Sequence, residues 1–124
     1  MNTVGSAGEI LATSYLKKLG YKIIEKNFRL RYGEIDIIAK DRDCICFIEV
    51  KTRTSDKFIA PFESVNKKKQ KKIIALANMW LSNKGLNHLR CRFDIISLLL
   101  DKKYSVIEME HIKDAFDCSG YPQA

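Results

Sequence analysis

The chain has 124 residues, 46% hydrophobic and 30% charged, the make-up of one ordinary globular domain and not of a disordered, collagen-like or coiled-coil chain. Its 22 Lys and Arg against 15 Asp and Glu leave a net charge of +7. Residues 1–100 hold 19 bases and 10 acids, residues 101–124 three bases and five acids, so a basic body with a mildly acidic end favours a polyanionic partner, nucleic acid before a membrane surface.

Thr3 can cap a first helix that runs to about Leu19 and ends at Gly20, with Val4, Gly8, Leu11, Ala12, Tyr15, Leu16 and Leu19 at helical spacing. Gly5 and Gly8 weaken its start by roughly 1 kcal/mol each relative to Ala, which fits either a close backbone approach or fraying. Tyr21 to Leu30 reads as a strand. Glu34 to Lys40 and Cys44 to Arg53 read as a β-hairpin about a polar turn. Thr54 to Glu63, with Pro61, reads as a loop. Ser64 or Asn66 caps a long helix ended by Gly85, with Ile73, Leu76, Ala77 and Trp80 as its apolar face. Arg90 to Leu100 is apolar enough for a strand buried on both faces. Tyr104 to Met109 can add an edge strand, and His111 to Phe116 a short helical turn.

The expected architecture is therefore a single α/β domain, a central mixed β-sheet flanked by helices in the order helix, three strands, helix, strand. It spans residues 1–117, with 118–124 as a C-terminal tail. The longest apolar stretch, Phe93 to Leu100, falls far short of the ~20 residues of a membrane span. Met1 to Gly8 lacks the basic start and apolar core of a secretory signal. The expected location is the cytosol, where Cys44, Cys46, Cys91 and Cys118 are read as small, buried or half-buried thiols rather than a zinc site.

Alternation along the hairpin places Glu34, Asp36 and Ile38 on one face and Ile35, Ile37 and Ala39 on the other. In the next strand Phe47, Glu49, Lys51 and Arg53 share a face. A turn over 41–44 pairs Lys40 with Ile45, and so Asp36 with Glu49, at a Cβ separation of roughly 4.5–5.5 Å. Opposed like charges destabilise a sheet, and an unpaired buried carboxylate costs more. The pattern makes chemical sense if Mg²⁺ or Mn²⁺ lies between the two acids, with Lys51 beside it. The alternative is a salt-bridged patch on a half-exposed sheet.

Gly33-Glu34-Ile35-Asp36-Ile37-Ile38-Ala39 and Phe47-Ile48-Glu49-Val50-Lys51-Thr52-Arg53 resemble the signatures of the bacterial YraN-type family, small proteins assigned to the restriction-endonuclease-like superfamily, or PD-(D/E)xK nucleases. The similarity continues through Gly8-Glu9, the Pro61 loop, the lysine-rich helix start and Arg92-Phe93-Asp94. It implies a metal-dependent nuclease fold in which Asp36, Glu49 and the Val50 carbonyl hold the metal and Lys51 is the catalytic lysine. Ile35 stands where the superfamily's name has Pro, a degenerate position. Glu9 falls where archaeal-type Holliday junction resolvases carry an acid on their first helix; its other reading is a partner for the helix dipole. Resolvases of this fold are dimers, so the resemblance also implies a homodimer.

Asn66-Lys67-Lys68-Lys69-Gln70-Lys71-Lys72 puts five lysines at a helix start, where cations are unfavourable and phosphate binds well. Lys67, Lys68, Lys69 and Lys71 are thus candidate DNA-backbone contacts, with Arg53, Lys57, Arg29 and Arg31 extending the patch; the alternative is a solubilising face. Gln70 sits one helical step from Lys67 and Lys71, and the resemblance implies a nucleic-acid-binding role for it, since related nucleases can use a Gln on this helix. Arg92 and Asp94 read as an internal ion pair, His88 and His111 as surface residues, and Trp80 as core. Together these point to a Mg²⁺- or Mn²⁺-dependent endonuclease acting on DNA, possible branched or structured forms included. The other readings are a nucleic-acid-binding module without efficient cleavage and a scaffolding domain.

Overall fold

Thr3 opens the first helix, α1 (Val4–Lys18), through a capping box: its Oγ1 accepts from the Ser6 N–H at 3.1 Å and its own N–H donates to Ser6 Oγ at 3.0 Å. The structure, a computed structural model, describes residues 3–55 and 66–117. The Pro61 loop, Lys57, Ser64, Cys118 and the expected tail lie outside the described residues. Gly20 (φ +93°) closes α1 in the left-handed conformation. Three strands follow, β1 (Lys22–Leu30), β2 (Gly33–Asp41) and β3 (Cys44–Thr54). Asn66 caps α2 (Lys67–Lys84) by accepting from the Lys69 N–H at 2.9 Å, and Gly85 (φ +69°) ends it. β4 (Arg90–Leu100) and β5 (Val106–Phe116) complete one sheet in the order β1-β2-β3-β4-β5.

Only the β3–β4 pair is parallel, and α2 supplies the crossover that a parallel pair needs. The helices cover opposite faces. Ile45, Phe47, Phe93 and Ile95 pack with Ile73, Leu76 and Trp80 of α2, while Cys46, Ile48, Ile96 and Leu98 pack with Ala12 and Leu16 of α1. β4 is buried on both sides, as its composition demands. Trp80 is core, donating from Nε1 to Glu25 at 3.0 Å. Cys44 and Cys46 are buried free thiols.

Two expectations are overturned at the last strand. Residues 111–116 continue β5 instead of turning helically: Ile95 pairs with Ile112 and Phe93 with Phe116, a register shift accommodated where Asp114 has φ +54°. The four-residue interval between Ile112 and Phe116 looks helical, but the bulge lets both meet the core. His111 is consequently no surface residue. Its ring is 5% exposed, with Nε2 2.8 Å from Asp94 and Nδ1 2.9 Å from the Tyr15 hydroxyl. Asp94, fully buried, also accepts from Arg92 at 3.0 Å and from the Asp114 N–H at 2.9 Å. These partners, outweighing burial, hold its carboxyl below the usual range. Arg92 and Asp94 are thus an internal ion pair, one that ties α1 to β4 and β5.

Gly8 decides how closely α1 lies on the sheet. A Cβ there would stand 2.0 Å from Thr52 Oγ1 and 2.9 Å from Thr52 Cβ, a clash that no side-chain rotation relieves. Gly8→Ala is therefore expected to destabilise the chain by about 1–3 kcal/mol, although Ala is the better helix former. Urea unfolding checks this; an unchanged midpoint would mean that α1 rides higher than described.

Candidate metal centre and nucleic-acid interface

The β2–β3 ladder runs from Asp41↔Cys44 through Lys40↔Ile45, the expected register, and ends at Ile37↔Ile48. One step further the strands part, and the Val50 N–H donates to Asp36 Oδ2 at 2.8 Å. The anticipated face assignment fails at this point. Ile35 packs with Ile38 on the α2 side, while Ile37 packs on the α1 side, so strict alternation is broken across Asp36. In β1 the residue facing this stretch is Asn27, in left-handed conformation (φ +55°) between the pairs Lys26↔Ile37 and Phe28↔Ile35.

Around Asp36 the acids converge from two elements. Carboxylate oxygens of Glu9 on α1 and of Glu34 and Asp36 on β2 lie within 4.8 Å of one another. Glu9 occupies the second turn of α1, whose first turn holds no acid, so the dipole reading of Glu9 loses its basis. Glu34, which the sequence leaves open between a supporting role at the site and a solvated one, joins the group and also pairs with Arg29.

Glu49 stands outside that 4.8 Å group. It is 4% exposed, and its Oε2 lies 3.4 Å from Lys69 Nζ. Its other oxygen, Oε1, is buried with no hydrogen-bond partner among the described residues. Repulsion between neighbouring acids explains the split: Asp36 turns to a backbone N–H and Glu49 to an ammonium. They still feel each other. Burial first, and the Glu49 charge second, push the Asp36 carboxyl up to about 7. Burial likewise raises Glu49 against the pull of Lys69 and Lys51, and raises Glu9, with Glu34 adding to it.

Lys51 projects from β3 next to Lys69. Burial, reinforced by its contact with the Lys69 ammonium, lowers its pKa below that of an ordinary lysine. For Lys69 burial acts in the same direction, but contacts with Lys51 and Glu49 prevail and raise it. Lys69 therefore belongs to the acidic site as well as to the basic helix start, which its place in a lysine run could not reveal.

The donors suit a hard divalent cation. They are all carboxylate oxygens, they come from rigid elements, and one of them is a buried oxygen lacking a partner, where a native interior almost always supplies one. Asp36, Glu9 and Glu34 bring carboxylate oxygens together, and Glu49 adds a buried oxygen without a partner among the described residues, its charge close enough to raise Asp36.

The remaining candidates divide by exposure. Lys67, Lys68, Lys71 and Lys72 are exposed at the start of α2, whereas Gln70 is buried on its inner face with Ile73 and Ala77. Arg53 lines a shallow polar pocket with Ser97, Glu108 and Glu110, among acids that compete with phosphate for it. Val50 is half-buried against the α1-side core. No helix among the described residues is long and apolar enough to cross a membrane.

The family described as Uncharacterised protein family UPF0102 matches residues 8–98, a span that contains every residue of this site. The UPF0102 protein of Caldanaerobacter subterraneus subsp. tengcongensis is 46% identical over 115 residues, covering 92% of this chain and 94% of that protein. The UPF0102 protein of Clostridioides difficile is 48% identical over 112 residues, covering 90% and 95%. That of Trichlorobacter lovleyi is 48% identical over 115 residues, covering 92% and 90%.

Proposed function

Because the chain belongs to the uncharacterised protein family UPF0102, whose name carries no activity, we propose its function from the site itself: a Mg²⁺- or Mn²⁺-dependent nuclease that hydrolyses phosphodiester bonds in DNA. The observation that carries this reading is the buried, partnerless Oε1 of Glu49 beside a carboxyl at Asp36 that burial and charge repulsion have raised to about 7. An oxygen buried without a partner among the described residues costs the fold stability that a bound cation would return.

Asp36 and Glu49 would hold the cation, with the Val50 carbonyl as a further oxygen donor. When bound, such an ion neutralises charge on a phosphoryl oxygen and makes water more acidic. Lys51, whose lowered pKa eases proton release, orients the attacking water and can accept its proton at Nζ. Lys69 keeps Glu49 in place through its ammonium. Glu9 and Glu34 raise the negative field that attracts a divalent ion, and Lys68 and Lys71 hold the phosphate backbone from the start of α2.

The test is incubation of end-labelled single-stranded and duplex DNA with the purified chain in Mn²⁺ or in EDTA. Cutting in Mn²⁺ alone supports the reading; no cutting of any DNA under either condition overturns it. A second reading, a nucleic-acid-binding module without cleavage, is favoured by the Lys69 ammonium, which already neutralises one oxygen of Glu49. Salt-sensitive binding with no cutting would select it.

Both readings share one expectation. Binding of a non-specific duplex falls with salt, and Lys68→Ala and Lys71→Ala each reduce the slope of log K against log salt by about 1. Slopes equal to that of the parent chain in fluorescence anisotropy would return these lysines to a merely solvated face.

A further inference from the structure

Beside the acidic site lies a groove of about 380 Å³ between the β1–β2 turn and the start of α2, within the ~300–1,000 Å³ of small-ligand clefts. Ile73 and Leu76 form its floor, Lys68 and Lys72 its cationic rim. Tyr32, 64% exposed, stands at its mouth. Gly33 forms part of one wall, next to Leu76. Two groups of the acidic site, Glu34 and Lys69, also line this groove. The two spaces are therefore contiguous.

An apolar floor, an exposed aromatic ring and a lysine rim together match one ligand chemistry: a flat heteroaromatic ring attached to an anionic phosphate. An apolar peptide would not require the lysines, and a plain duplex backbone would not require the floor or the ring. A paired base cannot reach such a cleft without leaving its stack.

We propose that this groove is a subsite for one unpaired nucleotide next to the scissile phosphate, its base stacked on Tyr32 over Ile73 and Leu76 and its phosphate held by Lys68 and Lys72. The substrate class is then DNA with an unpaired nucleotide at the cleavage point, in preference to continuous duplex. This inference rests on the reading that the adjacent site receives a nucleic-acid phosphate.

The test uses the full chain in EDTA, so that binding is read without cleavage. Two duplexes are compared by anisotropy, identical except that one carries a single bulged 2-aminopurine and the other has that base paired. The bulged duplex is expected to bind about tenfold more tightly, with quenching of 2-aminopurine emission as the base stacks. Tyr32→Ala removes both the quenching and the preference; Tyr32→Phe keeps them. Equal affinity for the two duplexes, or quenching that survives Tyr32→Ala, overturns the subsite. The two proposals fail separately. Mn²⁺-dependent cutting without bulge preference leaves the nuclease and removes the subsite, whereas quenching lost in Tyr32→Ala without any cutting keeps the subsite and removes the nuclease.

Discussion

Asp36→Ala and Lys51→Ala are each expected to reduce the Mn²⁺-dependent cleavage rate by a factor on the order of 10³ or more, the scale seen when a group acting in the transition state is removed. The physical reasons differ. Asp36→Ala deletes an oxygen donor and frees the Val50 N–H it now occupies, so the loss should be partly recovered at high Mn²⁺. Lys51→Ala removes a proton-handling group without touching a metal donor, so added Mn²⁺ should not help. Lys51→Arg separates charge from proton transfer: guanidinium keeps the positive charge but does not deprotonate in proteins. If Lys51 takes a proton from water, Lys51→Arg is nearly as slow as Lys51→Ala. If it only neutralises charge, most of the rate survives. Rates within tenfold of the parent chain for all three variants would remove these residues from the reaction. Because both alanine variants delete a half-buried ionisable group, folding is confirmed by their unfolding midpoints before rates are compared.

The second large effect is on stability against pH. The Asp36 carboxyl titrates near 7 in the folded chain and near ~3.9 when unfolded. Between these values the folded chain keeps a proton that the unfolded chain has released, so stability is greatest at the acid end of the window and declines as pH rises from about 4 to about 7. The raised Glu49 and Glu9 act with the same sign. Asp94 acts oppositely: its lowered carboxyl contributes stability above its unfolded value, lost as pH falls through its folded one. In EDTA the chain should thus be most stable in mildly acidic buffer.

Asp36→Asn keeps an acceptor for the Val50 N–H but cannot ionise. It should flatten the neutral limb of the profile and leave the variant roughly 2–4 kcal/mol more stable than the parent at pH 8. A more stable but inactive variant is the mark of a site held at a cost to folding. Thermal unfolding between pH 4.5 and 8.5 reads both effects; parallel profiles for parent and variant would show that Asp36 is not the strained group.

Much of the fold was legible because its signals are local. Thr3, Asn66, Gly20 and Gly85 mark the helix ends by the chemistry of capping, and the nearly continuous apolar run of β4 announces burial on both faces. The hairpin register followed from the length of its turn. β5 escaped because its bulge at Asp114 serves contacts with β4, more than ten residues away in sequence, and His111 was misjudged for the same reason. At the site, Asp36, Glu49 and Lys51 were visible as charges inside apolar strands. The end of the β2–β3 ladder just before Asp36 was not, since no residue type in the two strands announces it. Nor could a run of five similar lysines single out Lys69; only the fold brings it against Glu49.

The most direct measurement is isothermal titration of Mn²⁺ into the parent chain, Asp36→Asn and Glu49→Gln at pH 8. A cation shared by the two side chains predicts one ion per chain and binding about a hundredfold weaker, or undetectable, in both variants. Parent-like affinity in Glu49→Gln would contradict it, because the ion would then belong to Asp36, Glu34 and Glu9 alone.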